Sequence, residues 1–144
     1  MNTDANKEVV RRWIDGWNTR GVDAVDELFA ANFTDQQLVR TLDVPLTLES
    51  FKERFRTLEK SLEHVHFEEK DMIAEGDQVL VRWTMSGIQV GPYLGLPATG
   101  RSFQVDGVNI FRIADGRIVE RWSFYDVPSF LAQVGGKIVP QESQ

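Results

Sequence analysis

A chain of 144 residues suits one domain with a single core, expected to span residues 1–144 with its ordered part at about 6–134. It has no cysteine, which excludes disulfides, thiolate metal sites and cysteine nucleophiles together. The formal net charge is −6 and there is no long basic run, a balance that argues against nucleic acid or an anionic membrane as partner.

The first residues, MNTDANKEVVRRW, lack the apolar core of a signal peptide, and no apolar run reaches membrane-spanning length, so a cytoplasmic protein is expected. From residue 6 to about 19, Val9, Val10, Trp13, Ile14 and Trp17 fall on one helical stripe, which predicts an amphipathic helix with its large aromatics turned inward. Gly21 breaks it, and Val22, Val25, Leu28 and Phe29 predict a second short helix ending near Ala30. Residues 32–45 read as irregular and polar, with Asp35-Gln36-Gln37 in the middle. A third helix is expected over 47–62, where Phe51, Phe55, Leu58 and Leu62 recur at helical spacing.

The period then changes. Strands are expected over 64–73 and 78–88 about the turn Glu75-Gly76-Asp77, followed by a loop marked by Pro92, Gly95, Pro97 and Gly100. Two further strands, 102–113 and 117–126, fold about Asp115-Gly116, a dipeptide that tolerates the positive φ of a type I′ turn. A short helical turn around Phe130 and Leu131 closes the pattern. Helices first and strands afterwards predict an α+β domain with helices packed on one face of a mainly antiparallel sheet.

Counting outward from a two-residue turn pairs Ala114 with Arg117, Phe111 with Glu120, Asn109 with Trp122 and Gly107 with Phe124. One face then carries these side chains with Val105, Ile113, Ile118 and Asp126, and is apolar except for Asn109, Glu120 and Asp126. A carboxylate on such a face must be paired, hydrogen-bonded or neutralised. Glu120 therefore either sits at the rim, pairs with an arginine, or has chemistry to perform; a slip of one residue would turn it to the opposite face. The other face, with Val108, Ile110, Arg112, Val119, Arg121, Ser123 and Tyr125, is mixed and suited to a homodimer interface.

The stretches GPYLGLPATGR (91–101) and GVNIFRIADGRIVERW (107–122), with AEGDQV (74–79) and the early Trp17, Leu28 and Phe29, resemble SnoaL-like polyketide cyclases of the nuclear-transport-factor-2-like superfamily. The resemblance covers nearly the whole chain. It implies a cone-shaped curved sheet wrapped over the N-terminal helices and enclosing a pocket for a small hydrophobic molecule, with homodimers common and no cofactor expected. The segment 108–112 is similar to the part of ketosteroid isomerase that holds the enolate oxygen, which places that role on Asn109, whose amide still donates a hydrogen bond. The isomerase's base would fall near Gln37, which cannot hold a proton, so Asp35 stands in reserve. The late-strand carboxylate that serves the cyclases as acid and base best matches Glu120, although theirs is usually aspartate, and Gln36 and Gln89 stand where many relatives carry histidine.

Aldol closure of a polyketide needs one base, a donor for the enolate oxygen and a pocket that folds the substrate. Glu120 with Asn109 could supply the first two, with Asp126 and Asp35 as further carboxylates; Trp13, Trp17, Gln37, Trp83, Tyr93, Phe111, Trp122 and Phe124 could line the pocket, although core packing alone would account for the aromatics. His64 and His66 lack a third ligand type nearby, so no metal is expected. Two other readings stand beside the cyclase: a binding module of the same fold that has lost its chemistry, and an epoxide hydrolase or hydroxylase, for which the inward positions do not supply the required arginine between two aspartates.

Overall fold

The computed structural model describes residues 2–36, 46–93 and 96–136. Helix α1 (Thr3–Arg20) begins where the Asn2 side chain accepts from Ala5 N at 3.0 Å and stops at Gly21, whose φ of 64° is costly for other residues. It buries Val9, Val10, Trp13 and Trp17, the stripe expected from the sequence. The second helix differs from expectation. A 3₁₀ turn (Gly21–Ala24) runs into a single turn of helix, α2 (Val25–Leu28), and Phe29 already opens strand β1 (Phe29–Gln36). That strand was hidden in the sequence because its pairing is irregular between Phe29 and Thr34: Phe29, Phe33 and Asp35 are buried in one phase of an alternation, but Ala31 between them is exposed, so the period of two is interrupted. Strand β2 (Leu46–Thr47) leads into α3 (Leu48–Ser61), capped by the Thr47 hydroxyl accepting from Ser50 N. Strands β3 (Leu62–Glu75), β4 (Gln78–Gln89), β5 (Ser102–Ala114) and β6 (Arg117–Tyr125) precede α4 (Val127–Gln133).

The six strands form one open sheet in the order β2-β1-β6-β5-β4-β3. Among the described residues only β1 and β6 run parallel; the other neighbours are antiparallel. Helices α1 and α3 cover one face, and aromatic edges join the layers. Trp13 meets Phe29 at 4.8 Å between ring centroids, Trp17 meets Phe55 at 4.7 Å, and Phe67 meets Trp83 at 5.1 Å, all edge to face. Such contacts add about 0.5–1.5 kcal/mol each beyond area burial. Polar ties fix the helices: the Asn18 amide both donates to Phe67 O and accepts from Phe67 N, and Glu59 Oε1 accepts from Val22 N at 2.8 Å.

The β5–β6 hairpin corrects the simple count. Asp115 and Gly116 take φ of 51° and 74°, as the turn requires, and Ala114 pairs with Arg117 and Ile113 with Ile118. Arg112 then pairs with Glu120, leaving Val119 as an extra residue, a β-bulge. From there every partner moves by one: Phe111 faces Arg121, Asn109 faces Ser123 and Gly107 faces Tyr125. The expected inward placement of Glu120, Trp122, Phe124 and Asp126 is thereby overturned. Arg121 and Ser123 turn to the helix-covered face, and Glu120, Trp122 and Phe124 to the open one.

Gly107 is a close-approach position. It sits opposite Trp83, and a Cβ there would lie 2.4 Å from Trp83 Cζ2 and 2.7 Å from Phe124 O. Gly107→Ala is expected to lower stability by about 1–3 kcal/mol through overpacking. Urea unfolding measures this, and an unchanged midpoint would mean that the Trp83 ring does not lie over Gly107.

Candidate functional site

A cavity lies between the helices and the sheet. Trp13, Ile14 and Trp17 of α1 and Phe55 of α3 form one wall; Phe67 of β3 and Val81 and Trp83 of β4 form another; Asn109 and Phe111 of β5 with Arg121 of β6 form the base. About 20 Å³ is open to the centres of water-sized spheres, room for roughly one water or the tip of a larger molecule. Of the residues singled out from sequence, Trp13, Trp17, Trp83, Asn109 and Phe111 meet here.

Arg121 was missed, and the bulge at Val119 is the reason. Its Nη1 donates to Asp35 Oδ1 at 2.9 Å, and Arg54 Nη1 lies 3.9 Å from Asp35 Oδ2. Asp35 is 2% exposed and the Arg121 side chain 12%, so this is a buried pair. The Arg121 guanidinium also lies over Phe51 at 5.3 Å and Phe55 at 5.7 Å. Removing one partner of such a pair costs about 3–5 kcal/mol, because the other charge is left uncompensated. The parallel register of β1 against β6, with Asp35 beside Arg121, makes the pairing possible.

Four side chains around this cavity keep a buried polar atom with no partner among the described residues: Trp17 Nε1, Trp83 Nε1, Asn109 Oδ1 and Arg121 Nε. Nearly all buried polar groups in folded proteins are hydrogen-bonded, so a cluster of exceptions at one cavity singles this cavity out as the candidate site.

The remaining candidates lie elsewhere. Glu120 is on the open face, where Oε2 accepts from Gln36 Nε2 at 3.1 Å and Oε1 from Arg112 Nε at 3.2 Å. Arg112 also donates from Nη1 to both oxygens of Asp77 at 2.9 Å, and the two carboxylates hold its guanidinium protonated more firmly than usual. Asp126 caps α4, accepting from Ser129 N at 3.0 Å. Tyr93 packs edge-on to Phe130, and burial, with Tyr125 beside it, pushes its phenol far above the ordinary range, so it stays protonated. Gln37 lies outside the described residues. Gln89, fully buried, is spent on the loop that follows it: its amide donates to Gly91 O and Pro97 O and accepts from Thr99 Oγ1. Among the described residues no three histidine or carboxylate side chains cluster as metal ligands, and no helix is long and apolar enough to cross a membrane.

The sequence and the fold have counterparts in known proteins. Residues 7–134 match the family model described as SnoaL-like polyketide cyclase. The chain is 27% identical over 129 residues to the aklanonic acid methyl ester cyclase DnrD of Streptomyces peucetius, covering 89% of each chain. It is likewise 27% identical to the aklanonic acid methyl ester cyclase DauD of Streptomyces sp. (strain C5), covering 89% of this chain and 80% of the relative. The structure of TsrD from Streptomyces laurentii superposes with a TM-score of 0.81 at 25% identity, over 94% of this chain and 98% of that one. A family match over residues 7–134, nearly the whole described fold, establishes that this chain belongs to the SnoaL-like polyketide cyclase family.

Proposed function

We propose that this protein closes a ring in a hydrophobic, carbonyl-bearing, polyketide-like substrate by acid–base aldol chemistry at the cavity beneath α1 and α3. The observation that carries this reading is the polar base of an otherwise aromatic cavity: Asn109 and Arg121, with Asp35 held against Arg121. The cyclases DnrD and DauD support it, and they do not favour a binding module.

Asp35 is the one buried carboxylate among the described residues, and it takes the role of base in this proposal in place of Glu120. It removes a proton from the carbon between two carbonyls, and the enolate oxygen that forms is met by Arg121 and Asn109. The carbon then attacks a second carbonyl of the same substrate. A carbon–carbon bond forms, and the new alkoxide takes back the proton from Asp35. No atom is gained or lost, so the reaction needs from the protein only position, a proton shuttle and charge stabilisation.

The open face of the sheet suits a second copy of this chain. Ile73, Leu80, Ile110 and Trp122 pair across successive strands, with Val108 and Phe124 in the next row. Ile73 is 64% exposed and Phe124 44%, large apolar groups left in water by one copy alone. The ion pairs Arg82–Asp71 and Arg112–Asp77 flank the patch.

Two expectations follow from these proposals. For a 1,3-dicarbonyl compound in D₂O, Asp35→Asn should slow protein-dependent deuterium uptake by about 10²–10⁴-fold, while Glu120→Gln stays near wild type; NMR reads the uptake and urea unfolding verifies that both variants fold. Loss in the Glu120 variant with retention in the Asp35 variant would place the chemistry on the open face instead. By sedimentation, wild type should run as a dimer and Phe124→Lys as a monomer. A wild-type monomer at tens of micromolar would remove the dimer proposal.

A further inference from the structure

The unpartnered atoms at the cavity are unequal in kind. An indole N–H and the Nε–H of arginine can only donate, so Trp17, Trp83 and Arg121 present three donors. Asn109 can present either its oxygen or its NH₂ by a half-turn of the amide, and so adapts to whichever group arrives. A single water, which is about what the cavity holds as it stands, accepts at two positions and would leave one donor unmet. A pair of oxygens sharing one negative charge offers about four acceptor sites in a plane.

The charge points the same way. Arg121 and Arg54 flank Asp35, which leaves this trio one positive charge in excess. On the same face, Arg11 of α1 pairs with Glu69 of β3 at 3.1 Å and adds no net charge. The surrounding rings exclude water, which strengthens each hydrogen bond made inside.

We infer that Trp17, Trp83, Arg121 and Asn109 form a cradle for a delocalised oxyanion, a carboxylate or the enolate of a β-dicarbonyl, and that the ligand enters with this end first. The inference deepens the cyclase proposal and rests on it for treating this cavity as the substrate site. It adds something that proposal does not require: the negative charge, brought by the ligand as a carboxylate or formed in place by Asp35 as the enolate, is held at the buried end, and two tryptophans act through their N–H groups as well as their rings.

The test uses the ¹⁵N-labelled full chain and three probes of similar size: 1,3-cyclohexanedione above its acid pKa, cyclohexanecarboxylate, and neutral cyclohexanone. At least one anion should bind about tenfold or more tightly than cyclohexanone and move the indole N–H signals of Trp17 and Trp83, while the signal of Trp122 on the open face stays still. Whichever anion binds better identifies the enolate or the carboxylate as the source of the charge. Trp17→Phe, which keeps a ring but no N–H, should weaken that anion by about tenfold, the scale of a hydrogen bond to a charged group. If cyclohexanone binds as tightly as both anions, or if both anions leave the two indole signals unmoved, the cradle is overturned; the wild-type titration decides this even should a variant fail to fold. The two proposals fail separately. Indole shifts without Asp35-dependent deuterium uptake leave the cradle and remove the cyclase, whereas Asp35-dependent uptake with unmoved indoles does the reverse.

Discussion

Val119 has no partner on β5, and the character of both faces of the sheet depends on that one unpaired residue. A bulge reverses which side chains point where for the remainder of the strand. Without it, Arg121 would face outward and Asp35 would be a buried carboxylate with only the exposed Arg54, at 3.9 Å, beside it, an arrangement costing on the order of several kcal/mol. With it, Arg121 reaches Asp35 at 2.9 Å, and Glu120 is released to the open face, where Arg112 and Gln36 receive it. The bulge therefore serves two polar networks at once, one on each side of β6.

The aromatic layer and the polar set constrain one another. Trp17 and Trp83 belong to a chain of edge-to-face contacts that includes Phe55 and Phe67, and this packing fixes their rings. Asn18, the residue after Trp17, is held by both backbone groups of Phe67, which fixes the height of α1 over β3. Gly107 admits the Trp83 ring because it has no side chain of its own. Among the described residues the N–H groups of Trp17 and Trp83 are thus held by their packed neighbours and meet no hydrogen-bond acceptor, an arrangement that fixes their direction.

Much of the fold was legible in the sequence. The stripe Val9, Val10, Trp13 and Trp17 gave α1, the spacing of Phe51, Phe55 and Leu58 gave α3, and alternation gave β3 to β6, because each of these is a regular element with one buried face. Irregular backbone was illegible. The uneven pairing of β1 concealed a strand, and the bulge at Val119 inverted half of β6, since no residue type announces where an extra residue will sit. The candidate cavity followed that division: Asn109 and Phe111, ahead of the bulge, line it as expected, as do Trp13, Trp17 and Trp83, whereas Arg121 was missed and Glu120 and Trp122 were misplaced because all three lie beyond it. Gln36 and Gln89 turn out to hold Glu120 and the loop residues Gly91, Pro97 and Thr99 respectively.

Strands β1 and β6 lie side by side although 86 residues separate Asp35 from Arg121 along the chain. Bringing such distant segments together is slow and entropically costly, so their parallel pairing belongs to the late stage of folding. On a ribosome, Asp35 would emerge early and wait for the last strand of the sheet. A nascent or truncated chain ending before β6 would possess Trp13, Trp17 and Trp83, helices α1 to α3 and most of the core, yet Asp35 would have only the exposed Arg54 at 3.9 Å and not the close pair with Arg121. The Asp35–Arg121 pair is therefore a reporter of completed topology, and it cannot precede the docking of the final strand.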